Sequence, residues 1–213
     1  MRPDPEHDIT QLDELRALFP PVHDIAVAKV MDRLDAHARD FVARAPFLCI
    51  ATQAADGTAD VSPRGDPPGF VHVADDGTLL IPDRPGNNRL DTLTNILANP
   101  SVGLIFMVPG FDDTLRVNGR ARITADPDAL AAMAVEGRAP RVAIVVEVAE
   151  AFLHCAKAFR RSRLWDPDAR QDRRAMPSLV SMIRDQTGDD ARTPEEEARD
   201  ADDLEQEYRR TMY

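Results

Sequence analysis

The sequence predicts a mainly β fold with flanking helices, in which six or seven antiparallel strands form a small closed or nearly closed barrel. Two strand pairs joined by turns that end in Asp-Gly, 47–62 and 70–81, follow one another closely, and this pattern is typical of β-hairpins. The run 102–108 is apolar throughout, as in a strand buried on both faces. Residues 115–123 alternate between apolar and polar, which is the period of a strand with one buried face.

Helical patterns are expected on both sides of this β region. Apolar residues recur at helical spacing over 12–18 and again over about 23–44. Proline follows each stretch, at Pro20 and Pro46, where a helix cannot continue. The remaining expected elements, in chain order, are a helix over about 88–98, a short helix from Asp126, a strand over 141–148 and helical structure from Ala151 onward.

The chain divides by pattern into three regions. We expect an N-terminal helical extension over 1–45, a barrel domain over 46–166 and a C-terminal helical, acidic extension over 167–213. Residues 184–213 carry 11 acidic and 5 basic side chains, and therefore supply −6 of the net charge of −11. Such a run of like charge is typical of a solvated helix or a disordered tail.

Composition excludes several classes of protein. The 26 basic residues against 37 acidic ones argue against general nucleic-acid binding, and no apolar run approaches the roughly 20 residues of a membrane helix. The sequence contains neither a Gly-x-Gly-x-x-Gly fingerprint nor a Walker motif. The first eight residues are acidic and lack the apolar stretch of a secretion signal. With only Cys49 and Cys155, no disulfide framework is expected, and we predict a reduced, cytoplasmic protein.

The segment 62–69 is rich in proline and glycine and carries one arginine. Two glycines and three prolines in eight residues predict an irregular loop of fixed shape, because glycine permits a close backbone approach and proline lowers the entropy of the loop. An arginine held there suits an anion, and a rigid connector with a solvated arginine explains the pattern equally well. The candidate binding residues are Ser62, Pro63, Arg64, Gly65 and Asp66.

A second candidate anion site, over 82–89, joins a predicted strand to a predicted helix. The two adjacent asparagines are expected to cap the helix, whose free backbone N–H groups favour an anion at that end. Flanking guanidinium groups match phosphate oxygens; the alternative is an ordinary N-cap with surface arginines. The candidate residues are Pro82, Asp83, Arg84, Asn87, Asn88 and Arg89.

Polar and apolar side chains alternate along the predicted strand 115–123, and Thr114 just before it continues the polar positions. Thr114, Arg116 and Asn118 share one face, whereas Leu115 and Val117 share the other. The polar face is a row of donors and acceptors that suits a planar polar ligand, and a solvated outer face explains it equally well.

The segment 154–165 places four cations beside the only tryptophan, which suits an aromatic ligand with negative charge. His154 and Cys155 are adjacent and would point apart on a helix, and no further Cys or His pair completes a metal site, so no metal is predicted. The candidate residues are Lys157, Arg161 and Trp165.

In this order, the four motifs resemble those of the pyridoxamine 5′-phosphate oxidase-like flavoproteins, the FMN-binding split-barrel family, and more narrowly a bacterial branch of it. The resemblance covers roughly residues 30 to 166, and it depends on the segments 62–70, 81–89, 114–121 and 154–165. It implies a six-stranded antiparallel split barrel and a homodimer with two FMN molecules in clefts between the subunits.

The resemblance also implies roles for the motifs. The segments 62–66 and 82–89 would bind the FMN phosphate, 114–118 would lie near the edge of the isoalloxazine ring, and 154–165 would close the cleft or come from the partner subunit. The arginine-and-histidine signature with which true pyridoxamine phosphate oxidases hold pyridoxal phosphate is absent, so vitamin B6 oxidation is not expected.

Two functions therefore remain open at this stage. The first is an FMN-dependent oxidoreductase that passes electrons from a reductant such as NAD(P)H to a small-molecule acceptor, with no catalytic side chain identified. The second is a non-catalytic protein that holds FMN or haem as a carrier or sensor. Some members of the family that the sequence resembles use deazaflavin, so the identity of the cofactor also remains open.

Overall fold

The computed structural model describes residues 2–189 and 193–213, and it divides into two compact units, Met1–Val30 and Met31–Tyr213. The first unit contains a 3-10 helix at Pro5–His7 and two short helices, α1 (Leu12–Ala17) and α2 (Asp24–Ala28). None of its described residues is buried.

The helix expected over 23–44 is wrong, because the chain forms two separate helices there. After α2, helix α3 spans Ala36–Arg44, and the carboxylate of Asp35 caps it by accepting a hydrogen bond from the backbone N–H of Ala38 at 2.7 Å. Before α3, Met31 pairs with Ala151 in an isolated β-bridge, which requires extended backbone rather than helix.

The second unit is built on one antiparallel sheet whose strands alternate with short helices. The sheet order is β2-β1-β5-β6-β7-β4-β3. The strands are β1 (Phe47–Gln53), β2 (Ala59–Gly65), β3 (His72–Asp75), β4 (Thr78–Pro82), β5 (Ser101–Met107), β6 (Thr114–Thr124) and β7 (Ala143–His154), and the helices between them are α4 (Asp91–Ala98) and α5 (Pro127–Ala132).

The mainly β class is confirmed. The described part of the chain has seven strands, which agrees with the six or seven predicted from the residue pattern, whereas the six implied by the family resemblance are wrong. The predicted hairpin over 70–81 is present as β3 and β4, with Val73 opposite Leu79. The sheet is open: β2 and β3 are its two edges, and no backbone pairing joins them among the described residues.

The core lies on one face of this sheet and is closed by α3 and α4. Alternate residues of β1 and β5, such as Leu48, Ile50 and Phe106, are fully or almost fully buried, as the period of two requires. Helix α3 adds Phe41 and Val42 to the same cluster. Helix α3 thus contributes side chains to the core although it precedes the boundary predicted at residue 45.

The strand β7 is longer than the sequence suggested. It continues to His154 by pairing with β6 over its whole length, so the expectation of helical structure from Ala151 onward is wrong for its first four residues. Helix α6 (Lys157–Ser162) follows. Helices α7 (Leu179–Thr187) and α8 (Pro194–Thr211) lie in the C-terminal region, and α8 carries most of its acidic residues. No helix within the described ranges is both long and apolar enough to cross a membrane.

The β6–β7 ladder is interrupted by one glycine that tolerates no side chain. Its register shifts between Asn118 and Gly119, which marks a β-bulge. A Cβ atom added to Gly119 would lie within 2.1 Å of the backbone oxygen of Glu147. The two long central strands therefore approach each other at a distance that only glycine permits.

We predict that Gly119→Ala lowers the free energy of unfolding by about 2–3 kcal/mol, because the backbone of β7 must shift to admit the methyl group. Urea denaturation followed by circular dichroism measures the loss. Gly86→Ala is the matched control, since its added Cβ meets no atom within 4 Å, and its effect should stay within about 0.5 kcal/mol. Equal stability of the two variants would contradict the close approach.

Candidate functional site

The two proline- and glycine-rich motifs meet through two reciprocal ion pairs. Arg64 Nη1 lies 2.8 Å from Asp83 Oδ1, and Arg84 Nε lies 2.7 Å from Asp66 Oδ2. Each motif thus supplies one arginine and one aspartate, and each arginine pairs with the aspartate of the other motif. We call Arg64, Asp66, Asp83 and Arg84 the four-residue cluster.

The position of the cluster follows from the strands that carry it. Strand β2 is one edge of the sheet and ends at Gly65, whereas β4 lies next to the other edge and ends at Pro82. The ion pairs therefore connect the two sides of the open sheet where backbone pairing does not. The predicted loop over 62–69 is wrong in its first half, which is strand through Gly65. Pro63 fits there because an edge strand tolerates a residue without an N–H.

The remainder of that segment is irregular, as expected. The backbone N–H of Asp66 donates to the oxygen of Pro46 at 3.0 Å, which turns the chain away from β2. Gly69 has a φ of 89°, a conformation that a residue with a side chain rarely adopts. The chain then returns to the core at Phe70, which is 8% exposed.

The cluster is largely removed from solvent. The side chain of Asp66 is 1% exposed, and that of Arg84 is 16% exposed. Arg84 also donates from Nη2 to the backbone oxygen of Met133 at 3.0 Å, and Asp66 accepts at Oδ1 from the hydroxyl of Tyr213 at 2.5 Å. The burial makes these charged hydrogen bonds stronger than they would be at the surface.

Both arginines keep donors that no described residue uses. The Nε atom of Arg64 is buried and has no hydrogen-bond partner, although buried donors are nearly always paired in native proteins. For Arg84, the described part of the chain provides partners for Nε and Nη2 but none for Nη1. An anion with several oxygens would satisfy these donors, so the residues present fit a phosphate group.

An open depression of about 190 Å³ adjoins the Asp66–Arg84 pair of this cluster. His72, the turn 67–70 and residues 132–135, at the end of α5 and just after it, also line this depression. The space next to the charged pair is therefore large enough for a small ligand group.

The second half of the 82–89 motif does not join the cluster. Arg89 is exposed and forms an ion pair with Asp91 at 2.7 Å. The asparagines do not cap α4, contrary to expectation: Asn87 Oδ1 accepts from the backbone N–H of Arg89 at 3.0 Å, and the helix begins only at Asp91. Asn88 has a φ of 57°, which takes the chain out of the helical path.

Arg116 and Asn118 lie on the other face of the sheet from Arg64. Arg64 is in register with the buried residues Leu48 and Phe106, whereas Arg116 is in register with Ile105 of β5, and directly paired residues project to the same face. Both polar side chains of this outer face contact neighbours on β7. The guanidinium of Arg116 lies 5.0 Å from the centroid of the Phe152 ring, and Asn118 Nδ2 donates to Glu150 Oε1 at 2.7 Å.

The aromatic and basic segment around α6 packs on the β5–β6 connection. Trp165 Nε1 donates to the backbone oxygen of Phe111 at 2.7 Å, and the Trp165 ring lies 5.7 Å from that of Phe159. Lys157 and Arg161 are exposed. Within the described ranges, this segment forms no hydrogen bond, ion pair or ring contact with the four-residue cluster, and it is a separate group of candidate residues.

Sequence reasoning named the four members of the cluster but missed the residues that hold it. Met133 contributes only a backbone oxygen, for which no sequence signal exists. Tyr213 is 147 residues from Asp66 in the sequence, and nothing near it resembles a binding motif. Its role could not be read from spacing, since the contact depends on where α8 ends.

A comparison with protein families identifies the fold group. A family model described as pyridoxamine 5′-phosphate oxidase matches residues 34–155, more than half of the chain. The chain belongs to this family. The match covers β1 to β7 and therefore includes the whole four-residue cluster. Membership supports flavin binding, since proteins of this family bind flavins.

Individual relatives are distant. No curated protein matches the chain. Among solved structures, HupZ of Group A Streptococcus is 18% identical, with 56% of this chain and 93% of HupZ covered and a TM-score of 0.47. The FAD binding protein from Mycobacterium smegmatis is also 18% identical, with 58% and 97% covered and a TM-score of 0.42. An F420 reductase is 22% identical, with 55% and 98% covered and a TM-score of 0.43.

We predict a measurable coupling energy between Asp66 and Arg84. In a double-mutant cycle with Asp66→Asn and Arg84→Gln, urea unfolding should give a coupling of about 1–3 kcal/mol, because each single change leaves its partner without its ion pair in a largely buried place. The exposed pair Asp172–Arg174 is the control, and the same cycle there should show no measurable coupling. Additive effects at Asp66 and Arg84 would contradict the pairing.

Proposed function

We propose that the protein is an FMN-dependent oxidoreductase that transfers electrons between a reductant such as NAD(P)H and a small-molecule acceptor. One observation carries the cofactor part of this proposal: two arginines from separate motifs converge, and each retains an N–H donor without a partner among the described residues. A terminal phosphate dianion is the ligand that two neighbouring guanidinium groups suit best.

The aspartates of the cluster prepare the arginines for such a ligand. Asp83 holds Arg64, and Asp66 holds Arg84, before any ligand binds. Less side-chain entropy is then lost on binding than with two freely rotating arginines. The cluster as a whole is neutral, so its attraction for phosphate would come from directed hydrogen bonds at short range rather than from a surplus of positive charge.

The ring of the flavin would lie away from the cluster. We propose that Arg116 and Asn118 bind near the ring edge, and that Lys157, Arg161 and Trp165 contribute to the same region. Since Arg64 and Arg116 occupy opposite faces of one sheet, we further propose a homodimer in which the outer face of one subunit completes the site of the other. Size-exclusion chromatography that finds a flavin-loaded monomer would overturn this shared site.

A bound flavin supplies electron transfer between donor and acceptor, and the side chains would bind and orient it and exclude water. A cation near the ring would favour its negatively charged reduced form, and Arg116, Lys157 and Arg161 are the candidates for that effect. We do not extend the proposal to vitamin B6 oxidation, because the arginine-and-histidine signature for that substrate is absent from the sequence.

We predict that Arg64→Ala weakens FMN binding about ten- to hundredfold, because hydrogen bonds to a charged group contribute about 1.5–3 kcal/mol. Riboflavin, which lacks the phosphate, should bind the variant and the wild type equally. Flavin fluorescence titration measures both constants. Arg174→Ala, at an exposed arginine, is the matched control and should leave both unchanged. Equal loss of FMN and riboflavin affinity would contradict a phosphate role for Arg64.

The redox part of the proposal is tested by absorption spectroscopy of the purified and FMN-reconstituted protein during anaerobic titration with NADPH. Flavin bands that bleach, and return on mixing with an acceptor, are the expected result. Bands that remain oxidised would favour a carrier or sensor over an enzyme. A haem spectrum, or failure to retain any flavin after reconstitution, would overturn the cofactor assignment.

A further inference from the structure

The side chain of Tyr213 lies against one ion pair of the cluster. Its hydroxyl donates to Asp66 Oδ1 at 2.5 Å, while the other oxygen of Asp66 accepts from Arg84 Nε at 2.7 Å. The guanidinium carbon of Arg84 lies 5.6 Å from the centroid of the Tyr213 ring, within the range of a cation–π interaction. Tyr213 therefore contacts the aspartate through its hydroxyl and the arginine through its ring.

The backbone of Tyr213 is also held in place. Arg138 Nη1 donates to its backbone oxygen at 2.5 Å. Arg138 follows the segment that begins at Met133, whose own backbone oxygen accepts from Arg84 Nη2 at 3.0 Å. The segment 133–138 thus anchors both Arg84 and the tyrosine that stacks on it, and the Nη1 atom of Arg84 remains without a hydrogen bond from this assembly.

We propose that Tyr213 is a positioning residue of the phosphate site: it holds Asp66 and covers Arg84 so that the free donor of Arg84 stays available to the phosphate of the cofactor. This inference rests on the proposed function. It gives α8 and the residues that follow it a role in the phosphate site. Tyr213 would not itself touch the reacting atoms.

The physical reason is the hydrogen-bond capacity of the buried carboxylate. Asp66 is almost completely buried and needs a donor for each oxygen. Without the hydroxyl of Tyr213, Oδ1 loses its donor and Asp66 is held at Oδ2 alone. Because Asp66 orients Arg84 through Nε, a less firmly held carboxylate leaves the guanidinium less fixed, and its Nη1 donor is then less well directed at the phosphate.

The titration of Tyr213 reports the contact without any ligand. The hydrogen bond to Asp66 raises the pKa of the phenol above the usual tyrosine value, burial and Glu136 act in the same direction, and Arg84 opposes them. Arg138 donates to the backbone oxygen of Tyr213. The chain has two tyrosines, Tyr208 and Tyr213, so an ultraviolet absorbance titration of Tyr213→Phe against wild type shows which ionisation is lost.

We predict that Tyr213→Phe, which keeps the ring over Arg84, weakens FMN binding about three- to tenfold, since it removes one hydrogen bond to a charged group. Riboflavin binding should not change, because the effect acts on the phosphate alone. Tyr208→Phe is the matched control at the other tyrosine, which is 46% exposed, and both of its flavin affinities should equal those of wild type. The apo variant should also lose a phenol ionisation that lies above the usual tyrosine value.

The outcomes separate the two proposals. If wild type binds neither FMN nor riboflavin, the proposed function is overturned, and a phosphate role for Tyr213 is overturned with it. If wild type binds FMN and Tyr213→Phe binds it equally well, only this inference is overturned. Equal weakening of FMN and riboflavin would assign Tyr213 a purely structural role and would also overturn it, as would loss of a phenol with an ordinary pKa.

Discussion

The reciprocal pairing of Arg64 with Asp83 and of Arg84 with Asp66 is the interaction on which the candidate site depends. A seven-stranded open sheet leaves two edges, and here side chains rather than backbone hydrogen bonds connect the β2 side to the β4 side. The arrangement gives each arginine a fixed direction, because its partner belongs to the opposite motif. Breaking either pair would therefore disturb the geometry of the sheet and of the site together.

A largely buried ion-pair cluster of this kind adds little to the free energy of unfolding. Desolvation of a buried ion pair largely cancels its Coulomb attraction, and an unpaired buried donor such as Arg64 Nε costs a further ~1–3 kcal/mol. An apolar closure of the sheet would avoid both penalties. The retained polar groups and the unsatisfied donor favour a ligand as the group that completes the hydrogen bonding.

Three features could be predicted from the sequence: the hairpins, the buried strand β5 and the alternating strand β6. In each of them the spacing of apolar residues follows directly from which faces of the strand are buried. Prediction from the sequence failed where one local pattern is compatible with two different structures. Pro63 and Gly65 indicated a loop, but an edge strand accommodates both. Asn87 and Asn88 indicated a helix cap, but Asn88 and Leu90 both have a positive φ and α4 begins only at Asp91. The contact of Tyr213 with Asp66 spans 147 residues, and no local pattern encodes it.

The register of the sheet imposes a further condition on any flavin site. Arg64 lies in a cross-strand row with Leu48 and Phe106, and Arg116 lies in the adjacent row with Ile105, so the two arginines project to opposite faces. A planar cofactor cannot pass through a sheet whose central strands pack around Gly119. If the phosphate binds Arg64 and the ring meets a residue equivalent to Arg116, either the ligand passes around the open β2 edge or that second residue comes from another copy of the chain. Because the sheet separates the two groups of candidate residues within one subunit, the proposed site is more readily completed by a second copy of the chain than by one subunit alone.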